Sequence, residues 1–168
     1  MSDAEEITAL IPRLRQYARA LTGERGFADD LVQDTLERAW GRFHLWRRGS
    51  NLRAWLFTIM HNLHVNQIKA RYRERGMALD DEALELPVPA TQEDRLEIRD
   101  LETALGHLPS EQREVLLLVG LEQMSYEEVA KVLGIPLGTV MSRLSRARER
   151  LRALMDGRVS THQLKVVK

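Results

Sequence analysis

From Ser125 to Leu151 the chain reads SYEEVAKVLGIPLGTVMSRLSRARERL, and no other stretch restricts its fold so tightly. Ser125 and Glu128 have the spacing of a capping box, in which a serine and a glutamate three residues on satisfy each other's free backbone amides. The helix they open puts Val129, Ala130 and Leu133 on one side, and Gly134 stops it. Pro136 can begin a helix but not continue one, so a second helix follows after only a tight turn. Two short helices joined through a glycine, the second rich in arginine, predict a helix-turn-helix. On that second helix Val140, Leu144, Ala147 and Leu151 make the buried stripe, which leaves Thr139, Ser142, Arg143, Arg146 and Arg150 facing outward. Arginine reads guanine bidentately in the major groove, serine and threonine adapt to several partners, and all of them hold phosphates.

The remaining periodicity is also helical, so the expected fold is all-α: two small helical domains joined by an acidic linker. Ile7, Leu10, Ile11, Leu14, Tyr17, Ala18 and Leu21 recur three and four apart, with Gly23 placed to end their helix. A second helix is expected from about Phe27 toward Phe43–Trp46, its buried stripe made of Leu31, Val32, Leu36, Ala39 and Trp40. Gly49 and Ser50 break the pattern, and Ser50 or Asn51 can cap a third helix running to about Tyr72, with Leu52, Trp55, Leu56, Ile59 and Leu63 inside. These pieces form the first domain, residues 1–75. Residues 76–92 read as linker, with two prolines, many acids and no sustained stripe. The second domain spans 93–156; there Pro109 and Ser110 start a helix with Glu111 and Glu114 in its first turn. Residues 157–168 read as a frayed tail.

Charge needs the same segment-by-segment reading. Lys/Arg and Asp/Glu both number 25, which for the whole chain argues against a nucleic-acid binder. Residues 77–100 hold 2 basic against 8 acidic groups, however, and mask basic excesses on both sides: 13 against 9 before them and 10 against 8 after. There is no cysteine, hence no disulfide or thiolate metal site, which suits a reducing cytoplasm. No apolar run is long enough to span a bilayer. His61 and His64 stand three apart but lack a third ligand, so no metal or other cofactor is expected. The acids of DDLVQD have no second aspartate-rich motif to work with, and no enzyme is expected either. Trp40 and Trp55 read as core anchors, and Trp46 is a candidate platform for a stacked base.

LPSEQREVLLLVGLEQMSYEEVAKVLGIPLGTVMSRLSRARERL resembles region 4 of the extracytoplasmic-function (ECF) sigma factors of bacterial RNA polymerase. DDLVQDTLERAW resembles their region 2.2, and NLRAWLFTIMHNLHVNQIKARYR their regions 2.3 and 2.4, in the family's order and across residues 5–155. The resemblance implies a promoter-specificity subunit without catalysis of its own. It implies that Thr139, Ser142, Arg143, Arg146 and Arg150 meet the −35 element. It implies that Arg47, Arg48, Ser50, Asn51, Asn62, Asn66, Lys69, Arg71 and Arg73 serve the opened −10 element, the 47–51 loop receiving a flipped base. Many members carry an acid where Asn66 stands. The outward face of the second helix, Asp30, Gln33, Asp34 and Glu37, would dock on the β′ coiled coil. Implied partners are core RNA polymerase through its β′ coiled coil and β flap, promoter DNA, and an anti-sigma factor, with no membrane insertion. The competing function is a stand-alone dimeric helix-turn-helix regulator, which would read two-fold symmetric half-sites.

Overall fold

The structure is a computed structural model that describes residues 2–76 and 96–166, the side chains of 96–98 and 158–166 excepted. Seven α-helices make up the described fold: α1 Asp3–Thr22, α2 Arg25–Gly41, α3 Leu52–Glu74, α4 Leu96–Gly106, α5 Ser110–Gly120, α6 Tyr126–Leu133 and α7 Leu137–Val166. A 3-10 turn, Phe43–Leu45, follows α2. The expected linker lies almost entirely outside the described residues. No strand occurs among them, as the periodicity predicts.

Local chemistry accounts for where the helices begin and end. Ser2 and Glu5 form a capping box at the start of α1, and Gly23 closes it with φ +71° and its N–H donating a hydrogen bond back to Arg19 O. The carboxylate of Glu24 caps α2 by accepting from the Gly26 and Phe27 amides at 2.8 Å, and these bonds hold its pKa below the ordinary carboxylate value. This sets the start of α2 two residues before the expected Phe27. Asn51, one of the two expected caps, accepts from the Ala54 amide at the head of α3.

In the first half α1, α2 and α3 pack around Leu14, Leu21, Leu31, Leu56, Phe57 and Met60, all fully or almost fully buried. Burying each such side chain stabilises the fold by about 1.5–3 kcal/mol. Tyr17 meets Phe57 edge-on at 4.9 Å. Leu52, Trp55 and Leu63 are only half-buried on α3, where His64 and Tyr72 take inward positions instead. The second half packs α5, α6 and α7 around Leu108, Val115, Leu118, Val129, Val140 and Leu144.

The two halves pack against each other. One continuous buried cluster runs from Leu14 through Met60 and Val115 to Leu144, and α1 lies on α4 and α5 while α3 lies on α6. Arg113, only 4% exposed, donates to the carbonyls of Leu105, Gly106 and Leu108 in its own half and to Leu21 O of α1 at 2.7 Å. Two expectations change accordingly. Glu114, expected in the first turn of α5 with Glu111, lies beyond that turn and is buried against α3. The last helix extends past the expected domain end at residue 156 to Val166.

Candidate nucleic-acid and partner interfaces

The helix-turn-helix is built as its sequence requires. Ser125 and Glu128 close their capping box over α6, and Gly134 turns the chain with φ +65° and its amide on Ala130 O. Pro136 supplies the carbonyl for the amides of Thr139 and Val140, which starts α7. Val140, Leu144 and Ala147 are buried, so α7 turns its other face out. Ser142, Arg146 and Arg150 are exposed there, while Thr139 and Arg143 are half-buried. Thr139, Ser142, Arg143 and Arg146 line a polar cleft of about 390 Å³ against Pro109, Glu111 and Gln112 at the start of α5. Glu111 pairs with Arg143 at 3.5 Å. Four of the five residues expected to meet DNA are thus brought to one cleft, and Arg150 lies about one turn beyond Arg146.

The loop from Trp46 to Asn51 and the exposed side of α3 form the second candidate surface. Arg47, Arg48, Ser50 and Asn51 are exposed, and Gly49 takes φ +90° at the tip. The Ser50 hydroxyl donates to Arg47 O, which ties the loop to itself, while Arg48 pairs with Asp3 of α1 at 3.1 Å. Asn62, Asn66, Lys69 and Arg73 are all exposed on α3. Arg71 is placed differently: its guanidinium lies 3.5 Å over the ring of Phe27, half-buried, and burial lowers its pKa. Trp46 is half-buried, 5.2 Å from Phe43, and its indole N–H is buried without a hydrogen-bond partner.

The third surface is on α2. Asp30, Gln33, Asp34 and Glu37 are exposed on one side, with Gln33 donating to Glu37 at 3.4 Å. Trp40 does not belong to the buried stripe; it is 60% exposed. At 100° per residue the stripe centres on Leu31, Val32, Thr35 and Ala39, and Trp40 falls on its flank, beside Glu37. With Ile7, Ile11, Leu36 and Glu37 it lines an apolar groove of about 520 Å³ between α1 and α2.

His61 and His64 are turned away from the exposed face of α3. They lie on the side of α3 covered by the second half, where His61 Nδ1 is 2.9 Å from Glu114 and His64 Nε2 is 3.3 Å from Ser110 Oγ. Burial lowers the His64 pKa to about 4. Sequence reasoning missed Arg53, Arg113, Glu122 and Glu128 as contacts between the halves. Only the (i, i+3) histidines on an otherwise apolar face hinted that a polar partner covers this side.

Comparison with known proteins matches both halves. The family model described as the Sigma2 domain of PhyR covers residues 7–61, and that of sigma-70 region 4 covers residues 98–151. The chain is 43% identical over 151 residues to the ECF RNA polymerase sigma factor EcfG of Rhodopseudomonas palustris (strain TIE-1), across 90% of this chain and 83% of that protein. It is 35% identical to the ECF sigma factor SigC of Mycobacterium tuberculosis, across 80% of this chain and 73% of that one. Among solved structures it resembles the sigma factor RpoE in complex with the anti-sigma factor NepR from Bartonella quintana, with TM-score 0.76, 38% identity, and coverage of 91% of this chain and 96% of that one. It also resembles CnrH in complex with the cytosolic domain of CnrY, with TM-score 0.67, 30% identity, and coverage of 92% and 87%. With both halves matched in order and relatives aligned over most of their own length, the chain belongs to the ECF sigma factors of RNA polymerase.

Proposed function

We propose that the three surfaces divide the work of an alternative sigma factor: α2 holds core polymerase, the 46–51 loop and α3 hold the opened −10 strand, and α7 reads the −35 duplex. The observation that carries this reading is the outward face of α7. Ser142 and Arg146 stay exposed although the two halves are packed together, so the major-groove reader is free in the same molecule that presents an acidic helix elsewhere.

On α2 the acids and the Trp40 groove adjoin. A basic coiled coil, as the family resemblance implies for β′, would be held by charge, and any apolar side chain it brings to the groove by burial. On α3, bases leaving a stack need polar edges in place of pairing and flat apolar surface in place of stacking. Ser50, Asn51, Asn62 and Asn66 supply the edges, and Trp46 supplies the surface. Arg47, Lys69 and Arg73 would neutralise phosphates, whereas the stacking of Arg71 on Phe27 favours a positioning role for that residue. The protein has no catalysis of its own in this scheme and works in the cytoplasm. The similar solved sigma factor RpoE is bound to the anti-sigma factor NepR, which supports an anti-sigma factor as a further partner here.

The test is promoter binding with and without core polymerase. The sigma reading expects weak binding by the protein alone and footprints over two unlike elements once core is added. Tight binding by the protein alone, with two-fold symmetric footprints, would support the dimeric regulator instead.

A further inference from the structure

The cleft at the start of α7 holds charges of both signs. Arg143 and Arg146 come from α7, and Glu111 faces them from the first turn of α5. Glu111 Oε2 lies 3.5 Å from Nη2 of Arg143, whose side chain is 26% exposed against 40% for the acid. Arg146, three residues on and on the same side of the helix, is exposed. A surface built only for affinity would carry no acid here, because a carboxylate beside the duplex repels its phosphates. The pair does little for the fold, since ion pairs this exposed contribute little to stability. Glu111 also suits the positive end of α5, but a carboxylate turned in any direction would serve that end. This one is turned toward an arginine of the reading face.

An arginine on such a face has two competing targets. Guanine accepts two parallel bonds from the edge of the guanidinium, which must be held at one angle. Phosphate oxygens accept from many directions and carry no sequence information. The guanidinium has five donor hydrogens in a rigid fork. A carboxylate on one terminal nitrogen therefore fixes its plane and leaves other donors free. It also opposes a swing to phosphate, which would break the ion pair. Docked DNA would cover the cleft and exclude water, which strengthens the pair.

We infer that Glu111 is a positioning residue for −35 recognition: it holds Arg143 in the orientation that reads a guanine and away from the phosphate backbone. The acid lowers affinity for DNA at large and raises discrimination at one base pair. The inference rests on the −35 reading of α7 given above.

The test is selection by the full-length protein with core polymerase from duplexes randomised across the −35 element, at several salt concentrations. Parent, Glu111→Ala, Glu111→Gln, Arg143→Ala and the Glu111→Ala/Arg143→Ala double variant are compared. Arg143→Ala should cut preference at one base pair by roughly 5- to 100-fold, as the loss of a bidentate guanine contact does. Glu111→Ala should weaken preference at that same pair while tightening binding to unrelated duplex. Its log–log dependence of affinity on salt should steepen by about 0.9, the mark of one added phosphate contact. Glu111→Gln, which keeps an acceptor without the charge, should fall between parent and Glu111→Ala. In the absence of Arg143, Glu111→Ala should no longer change base preference. A merely structural defect would lower affinity for every duplex, the opposite of the expected gain, and would overturn the inference. Preference unchanged in Glu111→Ala but lost in Arg143→Ala overturns the positioning role and leaves the −35 reading intact. An equal effect of Glu111→Ala on preference with and without Arg143 overturns it too. A parent with no −35 preference would overturn the reading of α7 itself, and the inference with it.

Discussion

A single buried histidine gives the fold a calculable response to acid. His64 is neutral inside the seam with a pKa of about 4, against 6.5 for the free side chain, because burial disfavours its charged form. Its contribution is therefore complete above pH 6.5 and is lost as pH falls toward 4, where the unfolded chain takes up the proton first. The loss over that window amounts to about 3 kcal/mol. Urea unfolding of the parent and of His64→Gln at several pH values should show it as a difference that vanishes in the variant. Glu122, whose pKa is raised by burial, acts in the opposite sense, its contribution lost as pH rises above the ordinary carboxylate value, and cancels in that difference. Elsewhere at this scale, Arg143→Ala should cost roughly 1–3 kcal/mol of −35 binding and relax preference at one base pair if it reads guanine. An equal loss on every sequence would mark it as a phosphate contact.

At the scale of the element, caps and turns were the most legible features, because their chemistry is local. Ser125, Glu128, Gly134 and Pro136 specify the helix-turn-helix within twelve residues, and Asn51 announces α3. Gly134 tests this directly. A Cβ there would meet nothing within 4 Å, so Gly134→Ala is penalised only by the left-handed φ of +65°. The cost should be about 1–2 kcal/mol in thermal or urea unfolding. Helix faces were less legible. Trp40 counts as a member of the α2 stripe by spacing alone, yet a flank position becomes core only where a neighbour covers it, and α1 leaves it open. Reversing Asp30 and Asp34 to lysine should leave the helical signal and melting temperature nearly unchanged, since exposed charges contribute little to folding. Association with core polymerase should weaken, most at low salt, as attraction turns into a like-charge clash. Equal binding by parent and double variant would leave those acids as a solvated face.

The whole molecule shows where local reading stops. Arg113, Glu114 and His61 look like surface residues of two independent domains, because nothing near them in sequence reveals that the other half covers them. Their burial is a property of contacts between residues 53 and 92 positions apart. Removing Arg113 should therefore destabilise both halves together, at about 1–3 kcal/mol for a buried carbonyl left without its donor; calorimetry should show one transition shifting rather than two. Zero net charge also becomes intelligible at this scale. A protein that bridges an enzyme and its template would use an acidic face and arginine faces at once.

The most direct test of this account is run-off transcription with purified core polymerase on a genomic promoter library, with the start sites then aligned. The account predicts that transcripts appear only when both proteins are present, that their start sites share two unlike upstream elements, and that Asn62→Ala and the Asp30/Asp34 reversal both reduce them. Core polymerase that gains no promoter-specific initiation from the protein would contradict it.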